Sequence, residues 1–273
     1  MIGHGPADQL APVCAPDDRP LAARCLKQAL DARLGGWHVA ILDRLPGEAG
    51  WPGMLGLDVV RREPSPVLDA GGADFDGWLK SRSRNFREQV RRRERKLARE
   101  HELTYRLCDD PDRLDADFDT LVRLHRARFG ETSRSFDPPR DTLHRAFARA
   151  ALERGWLRLW ILELDGRPAA AWLGYRMGGA EWYYQAGRDP ALERESVGFV
   201  LMAHTIREAL DAGMREYRLL LGDESYKDRF ASAEHGLETV MTGRGLGRAA
   251  TVAARAARSA PAPLRRRLRR ATE

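Results

Sequence analysis

The 273-residue chain is long enough to bury a hydrophobic core and short enough to form one or two domains. Its 43% apolar and 32% charged residues exclude a disordered chain, and its longest apolar run, near 197–206, is about half a membrane span. The three cysteines have neither disulfide nor zinc spacing, and the first residues lack the basic-then-apolar order of a signal peptide. We therefore expect a cytoplasmic protein without a metal site.

The net charge of +6 arises at the C-terminal end of the chain. Residues 241–273 contain nine Arg and one acid, whereas the other 240 residues carry 37 basic and 39 acidic side chains. We predict that 244–273 is a flexible Arg/Ala-rich tail, which favours weak contacts with anionic partners such as RNA or membrane. We expect no specific DNA binding.

The first hundred residues contain four predicted elements. A helix over 19–34 and a strand over 37–46 are followed by a Pro/Gly-rich stretch, 46–72, with a short strand over 55–60. After it, 74–100 has the apolar spacing of a long helix. Between Arg82 and Arg99 this helix carries nine basic residues against two glutamates. Because its apolar stripe indicates packing on a core, we interpret 73–100 as a solvated connecting helix rather than a nucleic-acid site.

The stretch 101–243 alternates strands and helices in an order that predicts one α/β domain. Three strands with short turns between them indicate an antiparallel meander, and the strand–helix–strand step after it predicts a parallel pair. The predicted strands are 101–108, 156–164, 168–177, 180–187, 215–221 and 237–243, and the helices are 117–129, 141–154, 197–212 and a short one from 224.

A ligand cleft is predicted where the two parallel strands, 180–187 and 215–221, end. Ligands enter such sheets at the carboxyl ends of parallel strands, where the crossover helix also begins and its free N–H groups favour a phosphate. Ser196 is the predicted N-cap of that helix, and Gly198 permits close backbone approach. The second strand ends at Gly222, which places four side chains at the mouth of the cleft: Asp223, Glu224, Tyr226 and Lys227.

Four segments carry a resemblance to a known family. They read SRSRNFREQVRRRERKLARE, WYYQAGRDP, SVGFVLMAHTIREALDAG and EYRLLLGDESYKDRF. Together they resemble the GNAT superfamily of acyltransferases, in its CelD-like branch, which is related to the Fem-type aminoacyl transferases. The resemblance implies an α/β (α+β) fold with a mixed, mostly antiparallel sheet flanked by helices. It further implies a complete domain over 101–243 and a partial GNAT-like half over 1–72, which begins midway.

The resemblance also implies a reaction, the transfer of an acyl group from acetyl-CoA or another acyl-CoA to an amine or hydroxyl. The pyrophosphate would sit on the helix start, and the preceding strand end would bind the pantetheine and thioester. These donor-binding positions are Tyr184, Gln185, Ala186, Arg194, Ser196, Val197, Gly198 and Phe199. The acceptor it suggests is a small molecule or a saccharide, such as an envelope precursor.

The catalytic roles also follow from the resemblance. Tyr226 matches the tyrosine that protonates the leaving thiolate, and the acceptor attacks directly while a base removes its proton. Glu181, Asp223 and Glu224 are the alternatives for this base. Lys227 either orients an anionic substrate group or holds Asp223 by charge pairing.

One departure from the family pattern keeps other functions open. The usual phosphate signature is Gln/Arg-x-x-Gly-x-Gly/Ala, but here Arg194 lies four residues before Gly198, and Phe199 and Val200 follow. One alternative is a Fem-like transferase fed by aminoacyl-tRNA. The other is a degenerate GNAT fold that binds a ligand without catalysis.

Overall fold

The computed structural model describes residues 5–32, 36–130, 133–222, 224–245 and 247–259. The helices are, in chain order, α1 Arg19–Asp31, α2 Trp51–Leu55, α3 Phe75–Ser81, α4 Arg84–Glu100, α5 Leu114–Phe129, α6 Pro138–Glu153, α7 Val197–Asp211, α8 Ser225–Phe230 and α9 Gly247–Ser259. The strands are β1 Val39–Pro46, β2 Val59–Glu63, β3 Pro66–Asp69, β4 Leu103–Leu107, β5 Leu157–Leu164, β6 Arg167–Met177, β7 Ala180–Arg188, β8 Glu216–Arg218, β9 Ala233–Glu234 and β10 Leu237–Gly243.

The described residues form two compact units. One takes the stretches 5–65, 221–222 and 234–259, and the other takes 66–220 and 224–233. None of the helices in these stretches is long and apolar enough to cross a membrane.

The first unit is built on a three-stranded antiparallel sheet of order β1-β10-β2. Its core packs Leu45, Trp51 and Val240 together with side chains of α1. β10, which the sequence analysis placed at the end of the domain 101–243, therefore pairs with strands from the first 65 residues. Whether 1–72 is a partial GNAT-like half stays a prediction.

Part of the predicted flexible tail is instead a packed helix. α9 contacts all three strands of the small sheet, and Thr251 on it is buried. A run of alanines between the arginines gives this segment high helix propensity, and the sheet provides the surface against which it packs. The rest of the predicted tail, 260–273, lies outside the described residues.

The second unit contains a seven-stranded sheet of order β4-β5-β6-β7-β8-β3-β9. The predicted meander of β5, β6 and β7 is confirmed, and so is the parallel pairing of β7 with β8. β3 was not predicted; it lies in the Pro/Gly-rich stretch and pairs antiparallel with β8. Helices cover both faces, with α3, α4 and α7 on one core and α5 and α6 on the other. The predicted fold class, a mostly antiparallel sheet flanked by helices, is thereby confirmed.

The predicted long helix 74–100 is two helices, α3 and α4. Asp74 caps α3 by accepting a hydrogen bond from the Gly77 amide at 2.7 Å, and Ser83 caps α4 through the Phe86 amide at 3.3 Å. Ser83 adopts an extended backbone, which a helix interior does not allow, so its side chain restarts the helix after a break. The predicted apolar stripe remains buried on both sides of this break.

Two features of β7 open the sheet where a ligand is expected. β7 and β8 pair with each other only from Ala180 to Trp182. Beyond Trp182, β7 remains paired with β6 but no longer with β8. In the pairing of β7 with β6 the register shifts at Tyr184, which leaves one extra residue in β7. Such a bulge bends a strand and redirects its side chains, and bulges are common beside active sites.

Candidate active site

A cavity of about 300 Å³ lies at the end of β7, where the parallel pairing with β8 has stopped. It is bounded by residues from Ala186 to Arg188, by the first turn of α7 and by α8. We call it the α7 cavity. Because it lies at the carboxyl end of β7 and at the start of α7, its position is the one predicted for the cleft.

The first turn of α7 presents free amides to the α7 cavity. Ser196 takes the N-cap position with φ at 59°, and its carbonyl accepts hydrogen bonds from the Phe199 and Val200 amides. Among the residues that the structure describes, the amides of Val197 and Gly198 have no acceptor. The predicted capping by the Ser196 hydroxyl is wrong, because in this left-handed backbone the side chain makes no cap hydrogen bond. The open amides are the donors that an anion needs.

Gly198 leaves room between this turn and Arg188. A Cβ atom added at position 198 would lie 3.4 Å from Cδ of Arg188, which is close but tolerable. Gly198 has no left-handed backbone requirement, so its contribution is space for a group that approaches the amides.

Three arginines surround the same turn. Arg93 and Arg229 place their guanidinium carbons 4.5 and 5.2 Å from the centre of the Phe199 ring. Burial and the nearby charges of Arg229 and Arg92 lower the pKa of Arg93, and neither Arg93 nor Arg229 pairs with a carboxylate in the described part of the chain. Arg188 donates to Glu193 at 2.8 Å, but its buried Nη1 has no partner. Unmatched cations at a helix start favour a phosphate-bearing ligand.

A pair of tyrosines lines the α7 cavity at another point. The hydroxyl of Tyr226 lies 3.2 Å from the hydroxyl of Tyr183, and both side chains border the cavity. Burial, followed by the neighbouring Tyr183, raises the pKa of Tyr226 far above its usual value, and burial also raises the pKa of Tyr183. Both phenols therefore stay protonated at neutral pH, which is the state that a proton donor requires.

Lys227 and Glu224 lie beside this tyrosine pair. The Nζ atom of Lys227 is 3.0 Å from Oε2 of Glu224 and 6.0 Å from the centre of the Tyr183 ring. The lysine side chain is buried, whereas that of Glu224 is 53% exposed. The negative charge of Glu224 contributes to the raised pKa of both Tyr183 and Tyr226. Asp223, the other acid predicted here, lies outside the described residues.

The structure does not bring Glu181 to the α7 cavity. It lies near the start of β7 and is 0% exposed, and its Oε2 accepts a hydrogen bond from Nε of Arg176 at 2.8 Å. The same oxygen lies 2.7 Å from Nη2 of this guanidinium as an ion pair. Burial raises its pKa, and Arg176 opposes that rise. This position gives Glu181 a structural ion pair and no access to a substrate in the cavity.

The predicted donor-binding residues of β7 divide between the two faces of the sheet. Ala186 borders the α7 cavity, but Tyr184 and Gln185 do not. The hydroxyl of Tyr184 lies 3.4 Å from Nε2 of His144, and its ring packs on the core formed by α5 and α6. It is Tyr183 that faces the cavity.

Close packing fixes the end of β7 against α5. A Cβ atom at Gly187 would lie 2.3 Å from the His125 amide nitrogen, so only glycine permits this approach. The ring of His125 reaches the Ala186 carbonyl at 3.0 Å and the Ser133 hydroxyl at 2.8 Å. Burial lowers the pKa of His125, which favours the neutral ring at neutral pH. Nδ1 must then donate to the carbonyl, and Nε2 accepts from Ser133.

A basic groove runs along α4 beside the α7 cavity. It shares Arg93 and Ser196 with the cavity lining, and Glu195 is its acidic member. Arg194, predicted to bind the donor, lies here rather than in the cavity. The other basic residues of the groove are Arg92, Arg95, Lys96 and Arg99. The interpretation of this helix as only a solvated connection therefore overlooked its position.

The sequence did not distinguish Tyr183 from its neighbours, and three arginines of the α7 cavity were not predicted: Arg93, Arg128 and Arg229. Tyr183 is one of three consecutive aromatic residues, 182–184, and the sequence does not show which of their rings faces the cavity. The bulge at Tyr184 determines this. Arg229 follows Tyr226 by three residues, a helical spacing that would have indicated a shared face. Arg93 comes from a distant helix and had no local signal.

The similar proteins agree with this fold. The family described as Acetyltransferase (GNAT) domain matches residues 84–228, more than half of the chain. A comparison with curated protein sequences gave no match.

Three solved structures share the fold at low identity, which shows the fold alone. L-PGS from Bacillus licheniformis is 13% identical, with a TM-score of 0.62 over 88% of this chain and 78% of that chain. FemX is 12% identical, with a TM-score of 0.60 over 85% and 79%. The C-terminal domain (DUF2156) of a putative lysylphosphatidylglycerol synthetase from Agrobacterium fabrum is 14% identical, with a TM-score of 0.59 over 85% and 75%. From the match over 84–228, the chain belongs to the GNAT acetyltransferase family.

Proposed function

We propose that the protein transfers an acyl group, acetyl or another, from an acyl-CoA to an amine or hydroxyl acceptor. The observation that carries this proposal is the anion site at the start of α7. Two amides without acceptors, two arginines without carboxylates and the buried Nη1 of Arg188 converge on one turn. A pyrophosphate would satisfy all of these groups at once.

The tyrosine pair supplies the acid of the proposed reaction. Acyl-CoA brings a thioester, whose carbonyl carbon is attacked by the acceptor while the carbon–sulfur bond breaks. Tyr226 then donates its phenolic proton to the leaving thiolate, and Tyr183 holds the Tyr226 hydroxyl in place at 3.2 Å. Because the pKa of Tyr226 lies far above neutral, the phenol carries its proton when the thiolate leaves. The tyrosinate that forms then regains a proton from water or from the protonated base, so that the proton lost by the acceptor balances the one gained by the thiol.

We propose Glu224 as the base that takes the acceptor's proton. Of the acids predicted for this role, Glu181 is buried away from the α7 cavity and Asp223 is not described. Glu224 is half-exposed and near both tyrosines, and Lys227 holds its carboxylate from the buried side. The exposed side of the carboxylate is therefore open to the acceptor.

Calorimetric titration with CoA and acetyl-CoA tests the donor directly. Gly198→Glu brings a negative charge to the free amides and should abolish binding. Gly198→Ala adds a Cβ without the charge, so it should bind more weakly than the parent but more tightly than Gly198→Glu. If the parent protein binds neither ligand, the acyl-CoA proposal is wrong. If Gly198→Glu still binds as the parent does, the pyrophosphate lies elsewhere.

A second candidate donor is an aminoacyl-tRNA, favoured by the basic groove along α4. Five cations of α4 and Arg194 line this groove, which shares Arg93 and Ser196 with the lining of the α7 cavity. A nucleic acid would use more of this charge than one CoA molecule needs. FemX shares the fold, although at 12% identity this adds no argument on substrate.

Salt dependence distinguishes the two donors. Binding of aminoacyl-tRNA should weaken steeply with salt, because each neutralised phosphate releases counterions. Arg95→Gln with Arg99→Gln should lower the steepness by about one to two units of log Kd per log salt if both contact phosphates. CoA affinity should not change in this double variant. A tRNA affinity insensitive to these substitutions would reject the second candidate.

We also propose that the protein acts in the cytoplasm. In the described residues Cys14, Cys25 and Cys108 are all free, which favours a reducing compartment.

The acceptor we propose is a small molecule or a saccharide.

A further inference from the structure

Arg128 is a cation of the α7 cavity that the proposed donor site does not use. It lies in the last turn of α5, half-buried, and its guanidinium carbon is 4.5 Å from the centre of the Phe129 ring. It lines the α7 cavity together with Tyr183 and Tyr226, and its positive charge lowers the pKa of both phenols against the effect of burial. In the described ranges, no carboxylate pairs with it.

The other charges near the tyrosines are already matched. Lys227 pairs with Glu224 at 3.0 Å, so its charge is compensated within the protein. Arg93, Arg188 and Arg229 instead surround Phe199 and Gly198 at the start of α7. Arg128 is therefore the unmatched cation beside the groups that we assign to proton transfer. A partly buried charge of this kind is most favourable when a ligand brings the opposite charge.

The backbone of α5 holds Arg128 in a defined place. One turn earlier, His125 is fixed by hydrogen bonds to the Ala186 carbonyl and the Ser133 hydroxyl. The absence of a side chain at Gly187 lets α5 touch β7 directly. A guanidinium carried on so constrained a turn is suited to orient a substrate, because its position varies little.

We propose that Arg128 binds an anionic group of the acceptor, a carboxylate or a phosphate, beside the amine or hydroxyl that is acylated. This inference rests on the proposed function, because it takes the tyrosine pair as the place of reaction. The planar fork of a guanidinium matches both anions through two parallel hydrogen bonds. A neutral sugar or a simple amine would leave the charge of Arg128 without an anion beside it.

Anion titration of the CoA-saturated protein tests this proposal without a known acceptor. Inorganic phosphate and acetate are titrated separately, and binding is followed by NMR line broadening of the anion. With the donor site filled by CoA, the parent should still bind one of the two anions. Arg128→Gln should weaken this binding by about tenfold or more, the usual effect of losing a charged hydrogen bond. The anion that binds more tightly identifies the acceptor group as phosphate or carboxylate.

Two controls separate this result from a failure of the proposed function. Arg123→Gln removes the same charge from an exposed position of α5 and should change neither anion nor CoA affinity. Arg128→Gln should bind CoA within about twofold of the parent, since the Arg128 guanidinium packs on Phe129, whereas Arg93 and Arg229 pack on Phe199 at the start of α7. Equal losses of CoA affinity in Arg128→Gln and Arg229→Gln would assign Arg128 to the donor and overturn the proposal.

Two further outcomes are decisive. If the CoA-saturated parent binds neither phosphate nor acetate, or if Arg128→Gln binds them as the parent does, the proposal is wrong. If CoA itself does not bind, the proposed donor fails, and the anion titration is made on the free protein carrying Arg93→Gln and Arg229→Gln. A remaining anion site that disappears with Arg128→Gln would still support an anionic acceptor, and an unaffected one would overturn it.

Discussion

Two neighbouring residues of α4 show two different uses of charge. Glu94 accepts two hydrogen bonds from Arg207, both at 3.0 Å, and one from Tyr105 at 3.2 Å. Arg93 lines the α7 cavity close to Arg229 and pairs with no carboxylate in the described residues. On one side of α4, the charge of Glu94 is thus paired with an arginine of the protein. On the other side, Arg93 lies beside further positive charges.

The same contrast divides α7. Its first turn has amides without acceptors, whereas its body carries Arg207 in the ion pair with Glu94 and His204 stacked on Tyr105 at 3.8 Å. Matched charges stabilise the packing of α4 on α7, and unmatched charges reduce stability unless a ligand binds. We expect substitutions in the matched set to change stability and substitutions in the unmatched set to change binding.

The largest expected effect is on catalysis at the tyrosine pair. Tyr226→Phe removes the proposed proton donor and should lower kcat about 100- to 1000-fold, with donor affinity nearly unchanged. Tyr184→Phe is the matched control, because that hydroxyl lies at His144 on the other face of the sheet. Steady-state acyl transfer and CoA calorimetry measure the two quantities. Equal kcat in Tyr226→Phe and the parent would remove Tyr226 from its proposed role.

The unmatched arginines should affect donor binding next. The double variant Arg93→Gln, Arg229→Gln should weaken CoA binding by about 10- to 100-fold, since each charged hydrogen bond contributes about 1.5–3 kcal/mol and the two are not additive. Its stability without ligand should stay the same or rise, because two like charges are removed. Calorimetry and urea unfolding measure both. A double variant that unfolds more easily but binds CoA normally would show that these two arginines stabilise the fold rather than bind the donor.

Removing the ion pair of Glu94 with Arg207 should lower stability and leave donor binding unchanged. Burial opposes the charged form of Glu94, but the hydrogen bonds and charge of Arg207 hold the pKa of Glu94 below its usual value. Glu94→Gln should therefore lower the free energy of unfolding by about 1–2 kcal/mol, as Arg207 loses its counter-charge. CoA affinity should not change. Urea unfolding at neutral pH is the measurement, and unaltered stability would show that the pair is not structural.

The smallest expected effect is a pH dependence carried by His204. Burial, together with the charge of Arg207 and against that of Glu94, lowers the pKa of His204 to about 4. The unfolded chain binds this proton near pH 6.5, so its stabilising contribution is complete above pH 6.5 and is lost as the pH falls towards 4. Between pH 7 and pH 5.5 the parent should lose about 1 kcal/mol more than His204→Phe, which keeps the ring stacking. Urea unfolding at the two pH values tests this, and equal losses would show that His204 is not the titrating group.

The sequence was sufficient to predict those parts of the fold that depend on local order. Short turns predicted the β5–β7 meander, and the helix between β7 and the strand at 215–221 predicted their parallel pairing. It was not sufficient for β3, because a four-residue strand between prolines and glycines has no periodicity to detect. Its place beside β8 comes from tertiary pairing alone.

The candidate site was predicted only where its groups follow a strand or begin a helix. Gly198 and Tyr226 lie at the α7 cavity as expected, because strand ends and helix starts can be read from the chain. Tyr183 was not distinguished from Tyr184, since a bulge shifts which residue faces each side and leaves no composition signal. Ser196 failed as a cap because its backbone is left-handed, and local propensity does not predict that.

Gly187 has a consequence for how this site can vary. The Cβ of any other residue would meet main-chain atoms of Leu124 and His125, and main chain cannot move aside as a flexible side chain does. Even alanine would force α5 away from β7 and carry Arg128 outward with it. The close approach of α5 to the α7 cavity therefore depends on the absence of a side chain at position 187. A related sequence that has a larger residue at this position is expected to hold α5 farther from the cavity and to contact a ligand differently.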